Sequence, residues 1–168
     1  ADGKVGQVEG APPVTIDPPI AGEATWTDAK TLTLVPAAPL PRSAKYVATV
    51  AGATRALDGS KLGTASKFEF TTPRITAEIE VMGNADRVGR KPAARLTFPQ
   101  DVAPTEVTAR CRFVGGAERQ PVKLLGDGAP ADATSFMVEP AGELAVDKAY
   151  ELTCDAGLRG VVGNLGTA

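Results

Sequence analysis

Histidine is absent from this chain of 168 residues, and cysteine and aromatic residues are scarce. Without histidine there is no Ser-His-Asp or Cys-His nucleophile pair and no imidazole metal ligand. The two cysteines cannot close a four-ligand zinc site of the usual Cys/His kind. The carboxylates are scattered, and none forms the close pair that glycoside hydrolysis requires. We therefore expect no catalytic residue, no metal site and no cofactor, and we predict that the chain is not an enzyme.

Neither an excess of charge nor a long apolar run is present. The 18 Lys and Arg against 20 Asp and Glu leave a formal net charge of −2, whereas nucleic-acid binding needs a one-sided basic surface. No run approaches the roughly 18 to 20 apolar residues that span a bilayer. Residues 1–6 contain no basic segment followed by an apolar stretch, so no signal peptide is expected there. We expect neither a nucleic-acid partner nor direct membrane insertion by this chain.

Short alternating runs between prolines and glycines are what the sequence does contain. In one run Leu32 and Leu34 share a face, and in another Phe68 and Phe70 are expected to point inward. Helical periodicity is nearly absent, so the pattern predicts an all-β protein built as antiparallel β-sandwiches. The runs cover residues 31–35, 67–71, 77–81, 94–98 and 107–113.

An internal repeat divides the chain. Residues 31–50 align without gaps over residues 135–154, at an offset of 104, with apolar, turn and aromatic positions matched. The repeat predicts two tandem domains, residues 1–73 and 74–168, each of the size of an immunoglobulin-like sandwich. The second copy stops where the first continues into the strand with Phe68 and Phe70. We infer that the chain is a piece of something longer or that a neighbour fills the gap.

The two cysteines fall on strands of the second domain. Cys111 is expected to share a strand face with Val107, Ala109 and Phe113, and Cys154 also points to the core. An inter-sheet disulfide follows from this placement and implies an oxidising compartment. The alternative is two buried free thiols. A reactive cysteine is disfavoured because no basic neighbour on the same face would lower its pKa.

Three aromatic residues are assigned structural roles. Tyr46 and Tyr150 occupy equivalent positions of the repeat, at the start of a late strand, where a tyrosine often bonds back to the backbone as a corner staple. Trp26, the only tryptophan, precedes the strand that carries Leu32 and Leu34. We interpret it as a core residue, and the alternative is an exposed platform for stacking sugars.

A family resemblance rests on several of these segments. Residues 14–26, 31–36, 39–41, 45–46 and 68–73 follow a G…W-x-D…T-L-x-L-x-P…L-P…Y…F-x-F-x-T pattern. They resemble a bacterial immunoglobulin-like domain, and are similar to the N-terminal region of bacterial α2-macroglobulin family proteins. Residues 107–125, with Cys111 and the R-Q-P-V-K-L-L run, resemble the segment that follows in those proteins, which later carries a second Cys.

The resemblance implies a periplasmic or cell-surface protease trap, often lipid-anchored, assembled from macroglobulin-type β-sandwiches. This chain lacks the family's thioester motif, C-x-E-Q, because Arg112 follows Cys111 and Asp155 follows Cys154. We predict that it provides non-catalytic scaffold domains of an exported protease inhibitor. Its partners would be the remaining domains of a longer parent protein and, through the intact protein, target proteases. The alternatives are an adhesin-like or glycan-binding module and the accessory domains of a secreted hydrolase.

Overall fold

Antiparallel strands account for nearly all of the regular structure. The computed structural model describes residues 6–7, 12–28, 30–55, 59–83, 89–126 and 131–168, and of residues 6–7 only the backbone. In these ranges the chain forms twelve strands and one short helix, and all strand pairs are antiparallel. The predicted all-β class is confirmed. No helix within the described ranges is long and apolar enough to cross a membrane.

Contacts divide the chain into two compact units. The first unit comprises residues 1–40 and 45–72, and the second comprises residues 41–44 and 73–168. The sequence-based boundary had placed residues 41–44 in the first domain.

The first unit consists of two three-stranded sheets. The strands are β1 (Gly6–Gln7), β2 (Val14–Asp17), β3 (Gly22–Trp26), β4 (Leu32–Pro36), β5 (Lys45–Val50) and β6 (Ser66–Thr71). The strand orders in the two sheets are β1-β3-β4 and β2-β5-β6. An open cavity of about 510 Å³ is lined by Val14 and Ile16 from one sheet and by Ala24 and Leu34 from the other. Tyr46, 4% exposed, is the one fully buried side chain among the described residues of this unit.

The second unit contains the larger core. Its elements are β7 (Glu78–Val81), β8 (Ala94–Val102), α1 (Pro104–Arg110), β9 (Cys111–Gly115), β10 (Glu118–Leu125), β11 (Ala133–Pro140) and β12 (Glu151–Cys154). The strands follow the order β12-β9-β10-β11-β8-β7. Residues 118–121 of β10 pair with β9 and residues 122–125 pair with β11. Phe113 of β9 and Leu96 of β8 belong to one buried cluster, so the sheet turns at β10 and closes over a shared core, as strands that switch sheets do.

The helix α1 corrects the predicted strand over residues 107–113. Pro104 occupies the first turn, where its missing N–H costs no hydrogen bond, and Glu106 pairs with Arg110 one turn later, at 3.2 Å. Val107 is buried, but it belongs to the helix rather than to a strand. Cys111 and Phe113 do lie on one buried face of β9, but Val107 and Ala109 do not share that strand.

The inward placement of Phe68 was also wrong. Its side chain is 67% exposed, whereas Phe70 is partly buried. β6 is the outermost strand of its sheet, so a side chain on its inner face is covered from one side only.

The repeat has a counterpart in the strand pairing of the two units. The aligned segments form β4 with β5 in the first unit and β11 with β12 in the second. Val50 of β5 lies opposite Val14 of β2, and the aligned Cys154 of β12 lies opposite Cys111 of β9. One difference remains. β5 pairs with β6 on its other side, whereas β12 is the end strand of its sheet.

Candidate functional site

In the second unit, a disulfide, ion pairs and side-chain hydrogen bonds converge on the outer strand β12. We refer to β12, the Cys111–Cys154 disulfide and the side chains that contact Tyr150 as the β12 edge. The site is built by β9, the first half of β10 and the loop that leads into β12.

The predicted disulfide is confirmed. Cys111 and Cys154 are bonded across directly opposed positions of β9 and β12. Cys111 is 1% exposed, and Cys154 packs against the buried cluster. The prediction of an inter-sheet bond was wrong, because β12 adds beside β9 in the same sheet. The bond therefore ties the end strand to its only strand neighbour in the described structure.

On its outer side, β12 has backbone N–H and C=O groups that pair with no strand of the described ranges. The Asp155 N–H donates to the Arg110 carbonyl at 2.9 Å, which makes these two residues a hydrogen-bonded pair. Antiparallel pairs alternate between bonded and non-bonded, so Leu152 and Cys154, opposite Phe113 and Cys111, direct their N–H and C=O groups away from β9. Within the described residues no strand pairs with that side of β12.

Tyr150 fastens the start of β12. Its hydroxyl donates to Glu118 Oε2 at 2.5 Å and accepts the Ala145 N–H at 3.2 Å. The second bond reaches backbone five residues upstream, as the hydroxyl of a tyrosine corner does. The ring lies against Gly115, where an added Cβ would come within 2.7 Å of the ring carbons. Glycine at position 115 is therefore what allows the ring to reach Glu118.

The Glu118 carboxylate collects three donors. Lys148 Nζ lies 2.8 Å from Oε2, and the Gln120 amide donates to Oε1 at 3.4 Å, in addition to the Tyr150 hydroxyl. The hydrogen bond from Lys148, followed by those from Tyr150 and Gln120, lowers the pKa of Glu118 to about 2. The same carboxylate raises the pKa of Lys148. Glu118 is thus ionised at neutral pH and acts as an anchor rather than as a proton carrier.

Polar contacts also hold the other end of β12. Arg112 pairs with Asp155, and Arg110 Nη1 donates to the Ala156 carbonyl at 2.9 Å. The Gly157 N–H then donates to the Thr167 carbonyl at 3.1 Å, and the Thr167 N–H to the Leu158 carbonyl at 2.8 Å. The chain after β12 therefore returns alongside itself as an antiparallel pair.

The structural residues assigned from sequence do not all meet in one place. Tyr150 lies with the disulfide, whereas Trp26 and Tyr46 belong to the first unit. Trp26 is partly buried at the end of β3, opposite Leu32. Tyr46 stacks on Phe70 with ring centroids 5.1 Å apart.

Sequence reasoning missed Glu118, Gly115 and a buried serine. Ser43 donates its N–H to the Pro73 carbonyl at 2.8 Å, while its hydroxyl oxygen accepts the Ile75 N–H at 2.8 Å. Its carbonyl accepts the Leu165 N–H at 2.7 Å. These bonds place residues 41–44 in the second unit. No alternation or spacing in the sequence predicts these hydrogen bonds, because each bond joins residues that are far apart in sequence.

Comparison with known proteins finds a family match for part of the chain. Residues 5–72 match the family model of the bacterial Ig-like domain. No curated protein and no solved structure matches the chain. The strand arrangement and this match together establish an all-β immunoglobulin-like fold, with an immunoglobulin-like domain over residues 5–72.

Proposed function

We propose that the chain forms non-catalytic scaffold units of an exported bacterial α2-macroglobulin-like protease trap. The observation that carries the proposal is the Cys111–Cys154 disulfide in a second unit that repeats the strand pairing of the Ig-like first unit. Disulfides persist in oxidising compartments, such as the bacterial periplasm and the cell surface. The resemblance of residues 107–125 to the family segment that precedes a second Cys also supports an α2-macroglobulin-like protein.

The units would act mechanically in such a trap. Glu118 and the disulfide fix β12 at both ends, so the second unit can transmit a pull or a push without losing its end strand. The scaffold would hold the remaining domains of the parent protein at a set distance from the membrane. Proteases would be bound by the intact protein rather than by these residues.

Protease retention by the full gene product tests the proposal. We would express the intact protein in its own bacterium, add trypsin, and separate complexes by size. Retained trypsin that cleaves a small ester but not a large protein substrate is expected, because a trap encloses its target without blocking its active site. Residues 1–168 alone should retain no trypsin. An intact protein that is digested without retaining any protease would contradict the trap.

One observation favours a glycan- or surface-binding module instead. Phe68 is 67% exposed and stacks beside Phe70 with centroids 6.2 Å apart, and exposed aromatic faces can stack on sugar rings. Sedimentation of the chain with purified cell-wall polysaccharide distinguishes the two functions. Binding that is lost in Phe68→Ala but retained in Val35→Ala, a change at another exposed apolar residue, would support the module.

A further inference from the structure

We propose that β6 is a dimerisation edge, which pairs antiparallel with β6 of a second copy of this chain across a two-fold axis at Phe68. β6 is the outermost strand of its sheet, and no strand within the described ranges pairs with its outer side. The proposal concerns the first unit and does not depend on the protease trap.

The outer side of β6 presents the backbone groups of Lys67 and Glu69. The Thr15 hydroxyl donates to the Thr49 carbonyl at 3.4 Å, from the opposed position of β2, so this carbonyl is directed towards β2. Because the direction alternates along a strand, the even-numbered residues of β5 direct their backbone groups towards β6. The even-numbered residues of β6 lie opposite them, so Lys67 and Glu69 direct their N–H and C=O groups away from β5.

The charges of β6 select one register for two such strands. With the axis at Phe68, Lys67 of each copy lies opposite Glu69 of the other, and these are the residues whose backbone groups point outward. An axis at Lys67 would oppose two lysines, and an axis at Glu69 would oppose two glutamates. Unlike charges directly opposite each other stabilise a strand pair, whereas like charges destabilise it. The segment of residues 67–69 is therefore complementary to itself in the antiparallel direction.

The exposed aromatic side chain of β6 gains a partner in this register. Phe68 is 67% exposed and ends a row of stacked rings, in which its centroid lies 6.2 Å from that of Phe70, and the centroid of Phe70 lies 5.1 Å from that of Tyr46. On the axis the two Phe68 residues form a non-hydrogen-bonded pair, whose side chains are closer than those of a bonded pair. The row would then continue into the second copy, and aromatic cross-strand pairs stabilise such a ladder.

The end strand β7 of the second unit is not complementary to itself in this way. Its charged residues are Glu78 and Glu80, which alternate with Ile79 and Val81. No antiparallel pairing of β7 with a second β7 brings unlike charges opposite each other, so we assign the dimer contact to β6.

Charge reversal in the 168-residue chain tests the pairing by sedimentation equilibrium. One pair of edge strands makes a small interface of the kind found in weak complexes, so the mass is followed up to a chain concentration of about 1 mM. The unaltered chain should approach the mass of a dimer as its concentration rises. Lys67→Glu or Glu69→Lys should each weaken dimerisation at least about tenfold, because each places like charges opposite one another.

Two rescues separate register-specific pairing from a folding defect. An equimolar mixture of Lys67→Glu chains and Glu69→Lys chains should dimerise as the unaltered chain does, since unlike charges again lie opposite each other. Both changes in one chain should also restore the dimer. The rescues are needed because Glu69 also pairs with Lys45, at 2.8 Å, within its own sheet. An unaltered chain that stays monomeric up to about 1 mM, or a mixture that dimerises no better than its two components, would overturn the proposal.

Cysteine cross-linking tests the position of the axis. Phe68→Cys should form a disulfide between two copies under mild oxidation, because residues on the axis have Cα atoms about 4.5 Å apart, within the range of disulfides. Ser66→Cys is the matched control. Ser66 would lie opposite Phe70 of the other copy, which puts the two copies of residue 66 roughly 14 Å apart. Equal cross-linking of the two variants on a non-reducing gel would overturn the two-fold axis at Phe68.

Discussion

Replacing the disulfide by the valine pair of the other unit should destabilise only the second unit. The double variant Cys111→Val with Cys154→Val copies Val14 and Val50, which face each other at the corresponding position of β2 and β5. The cross-strand contact is then kept and only the covalent bond is lost. The variant therefore separates the contribution of the covalent bond to stability from that of the packing around it.

The expected loss follows from the length of chain that the bond closes. The cysteines are separated by 43 residues, and the chain-entropy model gives about 4 kcal/mol for a closed loop of that size at 25 °C. The second unit comprises residues 41–44 and 73–168, and a unit of about 100 residues is commonly stable by only about 5–15 kcal/mol. The bond would thus supply a large part of the stability of the second unit.

The two units can be followed separately during unfolding in urea. Trp26, the only tryptophan, lies in the first unit, so its fluorescence reports on that unit, while NMR signals of core residues such as Leu96 report on the second. The double variant should lower the urea midpoint of the second unit by more than about 1 M, given typical slopes of about 1–3 kcal/mol per M. The Trp26 transition should not move. A loss below about 1 kcal/mol, or equal shifts of both transitions, would refute the loop-closure account.

Three further predictions follow from the same contacts. Val14→Cys with Val50→Cys should form a disulfide in the first unit and raise the urea midpoint of the Trp26 transition, which mass spectrometry and reduction would check. Because the folded pKa of Glu118 is about 2 against an ordinary 4.5, its contribution to stability is present above pH 4.5 and is lost as the pH falls towards 2. The unfolding midpoint of the second unit should therefore fall more steeply over that window than in Glu118→Gln. Ser43→Ala removes the acceptor of the buried Ile75 N–H and should cost about 1–3 kcal/mol in urea unfolding of the second unit.

Strands were predictable where alternation coincided with burial. The run at residues 94–98 became the start of β8, in which Ala94, Leu96 and Phe98 are all buried. The run at residues 107–113 also alternates, yet its first half is helical. Seven residues of alternating type fit one helical turn and a short strand equally well, and Pro104 at the helix start was the signal that should have decided between them.

The fastening of β12 could be predicted only in part. Strand parity placed both cysteines towards the core, but it could not show whether β12 would join β9 or the opposite sheet. That choice depends on where β10 turns, between residues 121 and 122. The partners of Tyr150 depend on the same turn, since Glu118 begins β10, 32 residues away in sequence. Local pattern carries no information about such pairings.

The disulfide lies in the second unit because the end strand of that unit has fewer strand neighbours than its counterpart in the first unit. A valine pair suffices between β2 and β5, because β5 is also held by β6. β12 has one strand neighbour in the described structure, so opening it breaks a single ladder. Loop closure destabilises the unfolded chain, whereas the cross-strand bond also prevents this local opening in the folded state. The two effects separate experimentally: in the valine variant the Thr153 amide should exchange by local opening at a free energy below that of global unfolding, and in the native protein it should not.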